Sequence, residues 1–145
     1  MSNITLQEIE SFLSLVDKDF PIPLSQKTNL NEFSKKLYNN ADIIVERKNN
    51  DIVGMMAGYI TNATSDMAYI SILAVKNQYR GMGIAKKLLT EFIEQAKQKD
   101  NIKSIDVYAK KENIPAVKSY RNLGFVDFFQ KNETRPNDLH LILYL

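Results

Sequence analysis

Apolar residues along the chain change period several times, and each change marks an element. Ile9, Phe12, Leu13 and Val16 recur every three to four residues, as one face of a helix does. Thr5 and Glu8, three apart at its start, have capping-box spacing. "FPIPLS" holds two of the four prolines and predicts an extended loop. A second helix is expected from about Leu30 to Asn39, with Phe33 and Leu37 facing inward. "DIIVERKNNDIVGMMAGYI" then reads as two strands around an Asn49-Asn50-Asp51 turn, and "MAYISILAV" as a third strand. From Ile84 the period is helical again, through Ala85, Leu88, Leu89, Phe92, Ile93 and Ala96. "KSIDVYA" is strand-like. Asn113 opens a short helix as its N-cap, with Pro115 in the first turn and Gly124 past the end. "FVDFFQK" and "LHLILYL" close the chain as strands. The order ααβββαβαββ, without repeats or linkers, predicts one domain over residues 1–145. Its class is α/β, of the α+β mixed-sheet kind: a central, mostly antiparallel sheet with helices on both faces.

Composition narrows the function. A chain of 145 residues, 44% apolar and 25% charged, has the makeup of a globular domain. Its net charge of +2 gives no reason to expect nucleic acid or membrane as a partner. The absence of cysteine removes disulfides, thiolate metal sites and cysteine nucleophiles. With His140 the sole histidine, no metal site is expected. The N-terminal stretch carries acidic residues and no basic region, so a helix is expected there instead of a signal peptide. No apolar run approaches the roughly 18 residues of a membrane span, and a cytoplasmic protein is the expectation.

The chemistry concentrates in "QYRGMG", between the third strand and the long helix. The first amides of a helix lack internal partners and point along the positive end of its dipole, a setting that suits phosphate. Glycines let oxygen atoms approach that backbone closely. Residues 76–111 hold nine Lys or Arg against four Asp or Glu, so positive charge gathers around this turn. A plain structural turn beside a solvated lysine face gives the same residues. A dinucleotide fingerprint would need a small residue where Lys86 stands, and the P-loop pattern is absent.

"QYRGMG" resembles the Q/R-x-x-G-x-G/A signature with which the GNAT N-acetyltransferase superfamily binds the pyrophosphate of acetyl-coenzyme A. "ISILAV" looks like that family's bulged fourth strand, and "NIPAVKSYRNLGF" resembles its N-x-x-A-x-x-x-Y-x-x-x-G-F segment. Together these cover roughly residues 40–130 in the family's order. The resemblance implies that backbone amides of Arg80, Gly81, Met82, Gly83, Ile84 and Ala85 hold the pyrophosphate, with Gln78 shaping the loop. Leu73 and Val75 would pair through their backbone with the pantetheine arm. Asn113 would bond the cosubstrate, and Tyr120 would protonate the departing thiolate. Read from the residues alone, Asn113 is equally a helix cap, and Tyr120 a core residue beside Ala116, Val117 and Leu123. His140, alternating with leucines, reads as structural or partly exposed.

The implied reaction is direct acetyl transfer to an amine in a ternary complex, without metal. Some members place a glutamate base on the fourth strand, where Tyr69 and Ser71 stand here; Glu46 or Asp66 acting through water is the substitute. A backbone amide at the bulge, near Leu73 to Val75, would polarise the thioester carbonyl. Phe20, Pro21, Pro23, Tyr38, Tyr59 and Phe128 offer an aromatic, proline-rich acceptor side. A small-molecule amine such as an amino sugar or metabolite is therefore the expected partner, with a protein or peptide acceptor as the alternative. A non-catalytic acyl-coenzyme A binding module is a further alternative. A nucleic-acid surface along lysines 86–103 is disfavoured by Glu91, Glu94 and Asp100 on the same helix. "LHLILYL" is compatible with a buried strand or with a homodimer interface.

Overall fold

The computed structural model describes residues 4–129 and 135–145. Helices α1 (Leu6–Val16), α2 (Leu24–Lys27) and α3 (Leu30–Asn40) precede strands β1 (Asp42–Lys48), β2 (Asp51–Tyr59) and β3 (Met67–Val75). Helix α4 (Ile84–Lys97), β4 (Ser104–Lys110), α5 (Ile114–Asn122), β5 (Val126–Asp127) and β6 (Asp138–Tyr144) follow. This is the expected order with one addition, the single turn α2 inside the proline segment. Pro23 starts that turn at φ −53°. The Asp17 carboxylate holds it by accepting from the amide (2.8 Å) and hydroxyl (2.6 Å) of Ser25. The expected strand "FVDFFQK" shortens to Val126–Asp127, with one further bond from the Phe128 amide to the His140 carbonyl. Its last two residues, 130 and 131, lie outside the described residues.

The six strands form one sheet in the order β1-β2-β3-β4-β6-β5. Every pairing is antiparallel except β3 with β4, which are joined through the crossover helix α4. One face carries α4 and α5: Leu88, Leu89, Phe92 and Tyr120 pack with Ile70, Ile105, Val107 and Leu141. The other carries α1 and α3: Ile9, Phe12, Leu13 and Leu37 pack with Met55, Ala57 and Ile72. The apolar stripes read from sequence are these two cores, and burying them is the main source of stability.

A bulge in β3 sets up the functional region. Ala57 pairs with Ile72 and Gly58 with Ile70, which leaves Ser71 unmatched. Before it, Ala68 and Ile70 face α4; after it, Leu73 and Val75 take that face while Ile72 and Ala74 turn to α1. The extra residue switches the alternation, as a bulge must. It sits at Ser71, two residues before the expected Leu73–Val75 position.

Helix α1 is fixed by its capping box and by an ion pair to β1. Thr5 Oγ1 accepts from the Glu8 amide (3.1 Å), and Glu8 Oε1 accepts from the Thr5 amide (3.1 Å). Arg47 donates to both Glu8 oxygens, at 2.7 and 3.2 Å. The Arg47 guanidinium, then the Thr5 amide, lower the Glu8 carboxyl from 4.5 to about 2. A lowered folded-state pKa adds stability that is complete above about pH 4.5 and is lost as pH falls toward 2. Glu8→Gln is accordingly expected to be less stable than the parent at pH 7 and to converge with it near pH 2. Urea midpoints across that range measure this; a gap independent of pH would contradict it.

Candidate active site

Strands β3 and β4 run side by side only from Met67↔Ser104 to Ile70↔Val107. Beyond that, β3 continues to Val75 and β4 to Lys110 without pairing to each other. Each keeps its outer partner, β2 or β6, so across the split the two strands have no strand partner among the described residues. The chain leaves β3 through a tight turn at Asn77–Tyr79 and enters α4 at the glycines.

Gly81 and Gly83 both have φ of +79°. A residue with a side chain pays roughly 1–2 kcal/mol there. A Cβ added at either would meet nothing within 4 Å, so the backbone angle, not crowding, demands glycine. Gly83 is the N-cap of α4 and supplies no capping side chain, whereas Thr5 and Asn29 cap α1 and α3. The first amides of α4 are thus left for another acceptor. Arg80 braces the turn: its Nε donates to the Val75 carbonyl (3.2 Å), and its Nη2 lies 3.3 Å from Asp19 Oδ2.

A cavity of about 550 Å³ opens over this turn. Of the residues expected at the cosubstrate, Leu73, Val75, Arg80, Gly81, Gly83, Ile84, Ala85 and Asn113 line it. Lys86 adds positive charge, while Phe20 and Pro21 close it from the loop after α1. Gln78 and Met82 are exposed and lie outside the lining. Asn113 makes no side-chain cap on α5, contrary to the cap reading. Its φ and ψ of −81° and 67° fall outside the extended conformation from which an N-cap side chain reaches back.

Tyr120 is 3% exposed, packed against Phe125 with ring centroids 5.5 Å apart. Burial pushes its phenol far above the usual tyrosine range, and the Tyr69 hydroxyl, close enough to act on it, adds to the shift. Glu46 and Asp66 are not brought to the cavity. The Glu46 carboxylate takes Lys87 Nζ at 3.0 and 3.2 Å, tying β1 to α4. Asp66 is exposed just before β3, where β3 and β4 are still joined. Six residues of strand, about 20 Å, separate it from Ile72.

A helix that begins on glycines thus stands beside a split parallel pair. Residues 9–125 match the model of the acetyltransferase (GNAT) family. The chain belongs to that family. The yeast N-alpha-acetyltransferase 30 is 40% identical over 58 residues, which is 40% of this chain and 32% of the yeast protein. The matched stretch therefore spans only about a third of that relative. A putative ribosomal protein bS18-alanine N-acetyltransferase of Bacillus subtilis is 25% identical over 122 residues, covering 84% of this chain and 77% of that protein. Among solved structures, PaiA N-acetyltransferase from Thermoplasma acidophilum in complex with coenzyme A has a TM-score of 0.75 at 14% identity. It covers 99% of this chain and 97% of its own. That likeness shows the fold.

On the GNAT sheet face opposite α4, a polar and aromatic cluster borders the split. Tyr59 pairs with Tyr69 across β2 and β3, and Tyr108 with His140 across β4 and β6. His140 Nε2 lies 3.0 Å from Asp106 Oδ2, and its ring stacks on Tyr108 at 4.4 Å with the Phe128 ring edge-on at 4.9 Å. Arg135 stands over the Tyr108 ring at 4.5 Å. Burial raises the Asp106 carboxyl, and the His140 contact partly offsets this. Of the residues expected on the acceptor side, Tyr59 and Phe128 join this cluster, and Phe20 and Pro21 line the cavity. Tyr38 instead borders a separate groove along β1. The His140–Asp106 pair was not legible, because 34 residues separate its members and only the β4–β6 register makes them diagonal neighbours on one face.

Gly83→Ala is expected to cost about 1–2 kcal/mol of stability. Its Cβ would also project toward the approaching phosphate, so acetyl-coenzyme A affinity should fall about tenfold or more. Thermal melts and calorimetric titration read the two effects. Unchanged affinity in a folded variant would remove the turn from the cosubstrate site.

Proposed function

We propose that the protein transfers the acetyl group of acetyl-coenzyme A to the α-amine of a peptide or protein N-terminus. The observation that carries the donor half is the uncapped glycine N-terminus of α4, opening on the cavity beside the unpaired edge of β3. Amides from Gly81 to Ala85 would take the pyrophosphate, with Arg80 and Lys86 adding charge. The free edge of β3 at Leu73–Val75 would pair with the amides of the pantetheine arm, as an added strand pairs with a sheet edge. The split would then receive the thioester, with Asn113 on the cavity wall and Tyr120 one turn along α5 from Ala116, which also lines the cavity.

Acetyl-coenzyme A supplies an activated acyl group with a thiolate leaving group. The protein's part is to orient it, exclude water and manage protons. A phenol raised by burial stays protonated at neutral pH and can donate to the departing sulfur. A thiol titrates near 8–9, below a tyrosine, so full transfer from Tyr120 to the thiolate runs uphill. Tyr120 therefore acts as a shuttle, giving its proton to sulfur as it regains one from the attacking nitrogen. Tyr120→Phe is expected to lower kcat by about 10²-fold, with acetyl-coenzyme A affinity nearly unchanged. Unchanged turnover would remove Tyr120 from the chemistry.

The names of the yeast and Bacillus relatives favour a polypeptide acceptor. The small amine expected from the sequence is the second reading, favoured by the aromatic and proline lining at Phe20 and Pro21. Free-thiol release with a panel of unblocked peptides, amino sugars and diamines separates them. The peptide reading expects turnover with peptides bearing free N-termini and none with the same peptides N-terminally blocked. Turnover confined to amino sugars or diamines would contradict it.

A further inference from the structure

An acceptor amine reaches an enzyme as an ammonium ion, which has no lone pair to attack with. Something must take its proton, and neither Glu46 nor Asp66 is brought to the split. The sole histidine of the chain is His140. Tyr108 is the first residue of β4 beyond the last pair with β3, and His140 is its partner on β6. His140 thus sits one strand from the point where the split begins, on the face opposite α4 and Tyr120.

Its setting is that of a held imidazole. Asp106 accepts at Nε2, and an ionised carboxylate only accepts, so Nε2 carries the hydrogen and Nδ1 keeps its lone pair. Nε2 makes the one side-chain hydrogen bond of His140 among the described residues, and the side chain is 11% exposed. Tyr108 and Phe128 fix the ring plane. The other Asp106 oxygen, Oδ1, is buried without a hydrogen bond among the described residues. Such a carboxylate is costly unless it has a task, and stabilising an imidazolium is one.

We propose that His140, oriented by Asp106, is the general base that takes the proton from the acceptor ammonium, directly or through one water. This rests on the acetyl-transfer reading above. The ammonium gives one proton to His140 Nδ1, and the free amine attacks the thioester carbonyl. The C–N bond forms and the C–S bond breaks. Sulfur takes the Tyr120 proton, the nitrogen's second proton returns to Tyr120, and the imidazolium releases its proton to solvent. Asp106 touches no reacting atom and is a positioning residue. The other charged or titratable groups around His140 are Tyr108 and Lys110 on β4, Tyr69 on β3, Asp138 on β6 and Arg135 before it. Lys27 of α2 faces Lys110, Asp138 and Arg135. Lys110 Nζ lies 2.8 Å and Arg135 Nη1 3.4 Å from Asp138, which offsets their charge.

The test is the pH profile of kcat/KM with the best unblocked peptide of the panel, beside proton NMR titration of the one histidine in the intact protein. In the parent the acid limb should fall at the pKa that NMR reads for His140. In His140→Gln, kcat/KM at pH 7.5 should fall about 10²-fold or more. The limb should move up to the peptide's own α-amine, about 7.7–8.0, because the amine must then arrive deprotonated. Asp106→Asn removes a negative charge that favours imidazolium, so the NMR pKa and the limb should move down together. A parent limb more than about one pH unit from the NMR value overturns the assignment without any variant. A folded His140→Gln with unchanged rate and limb overturns it as well, while acetyl transfer itself stands. Absence of turnover in the parent with every amine would instead overturn the acetyl-transfer reading, and the role of His140 with it.

Discussion

Two parallel strands that begin together and then separate govern the working end of this molecule. Parallel strands need a crossover, and here α4 supplies it, so the end of β3 must lead through a turn into a helix N-terminus beside the split. The same divergence leaves backbone groups of β3 and β4 without strand partners along a line that a ligand can occupy. The Ser71 bulge turns Ile72 and Ala74 toward α1 and gives Leu73 and Val75 to the α4 face, where they line the cavity. A glycine turn at a helix N-terminus, an edge of β3 without a strand partner and a cavity therefore arise from one topological event, and these are the features proposed to take the pyrophosphate, the pantetheine arm and the acyl group.

The two faces of the sheet divide the chemistry. Tyr120 rises from the α5 side, where the apolar core keeps its phenol neutral. Tyr69 on β3, and His140 and Asp106 on the β4–β6 half, lie on the other side, while α1 and α3 pack on the strands nearer β1. A donor bound from the helix-cap side would meet an acceptor from the side of the histidine, with the split between them. Tyr120 is thus buried apart from His140 and Asp106, although the Tyr69 hydroxyl on their face still adds to the rise of its phenol.

Much of this was readable beforehand, for physical reasons. Helices α1 and α4 announced themselves through apolar periods and, for α1, a capping box. The glycine turn stood out because φ near +80° excludes most other residues. What the sequence could not carry was register. The bulge at Ser71 depends on how β2 and β3 align, and Asp106 and His140 meet only because Tyr108 lies opposite His140. Glu46 and Asp66 looked usable because nearness in sequence says nothing about direction along a strand. Asn113 looked like a cap from its place before a proline, yet its backbone angles prevent one, leaving its side chain on the cavity wall. The turn α2 was hidden by prolines that usually mark extended chain, and by an Asp17–Ser25 contact that composition does not reveal.

A crystal structure of the protein with coenzyme A bound would show whether the glycine turn and the split hold the cosubstrate. The predicted result has pyrophosphate oxygens on the amides from Gly81 to Ala85, the pantetheine arm paired with β3 at Leu73–Val75, and the sulfur within hydrogen-bonding reach of the Tyr120 hydroxyl. Coenzyme A bound along the groove beside β1, or with its sulfur outside the split, would contradict it.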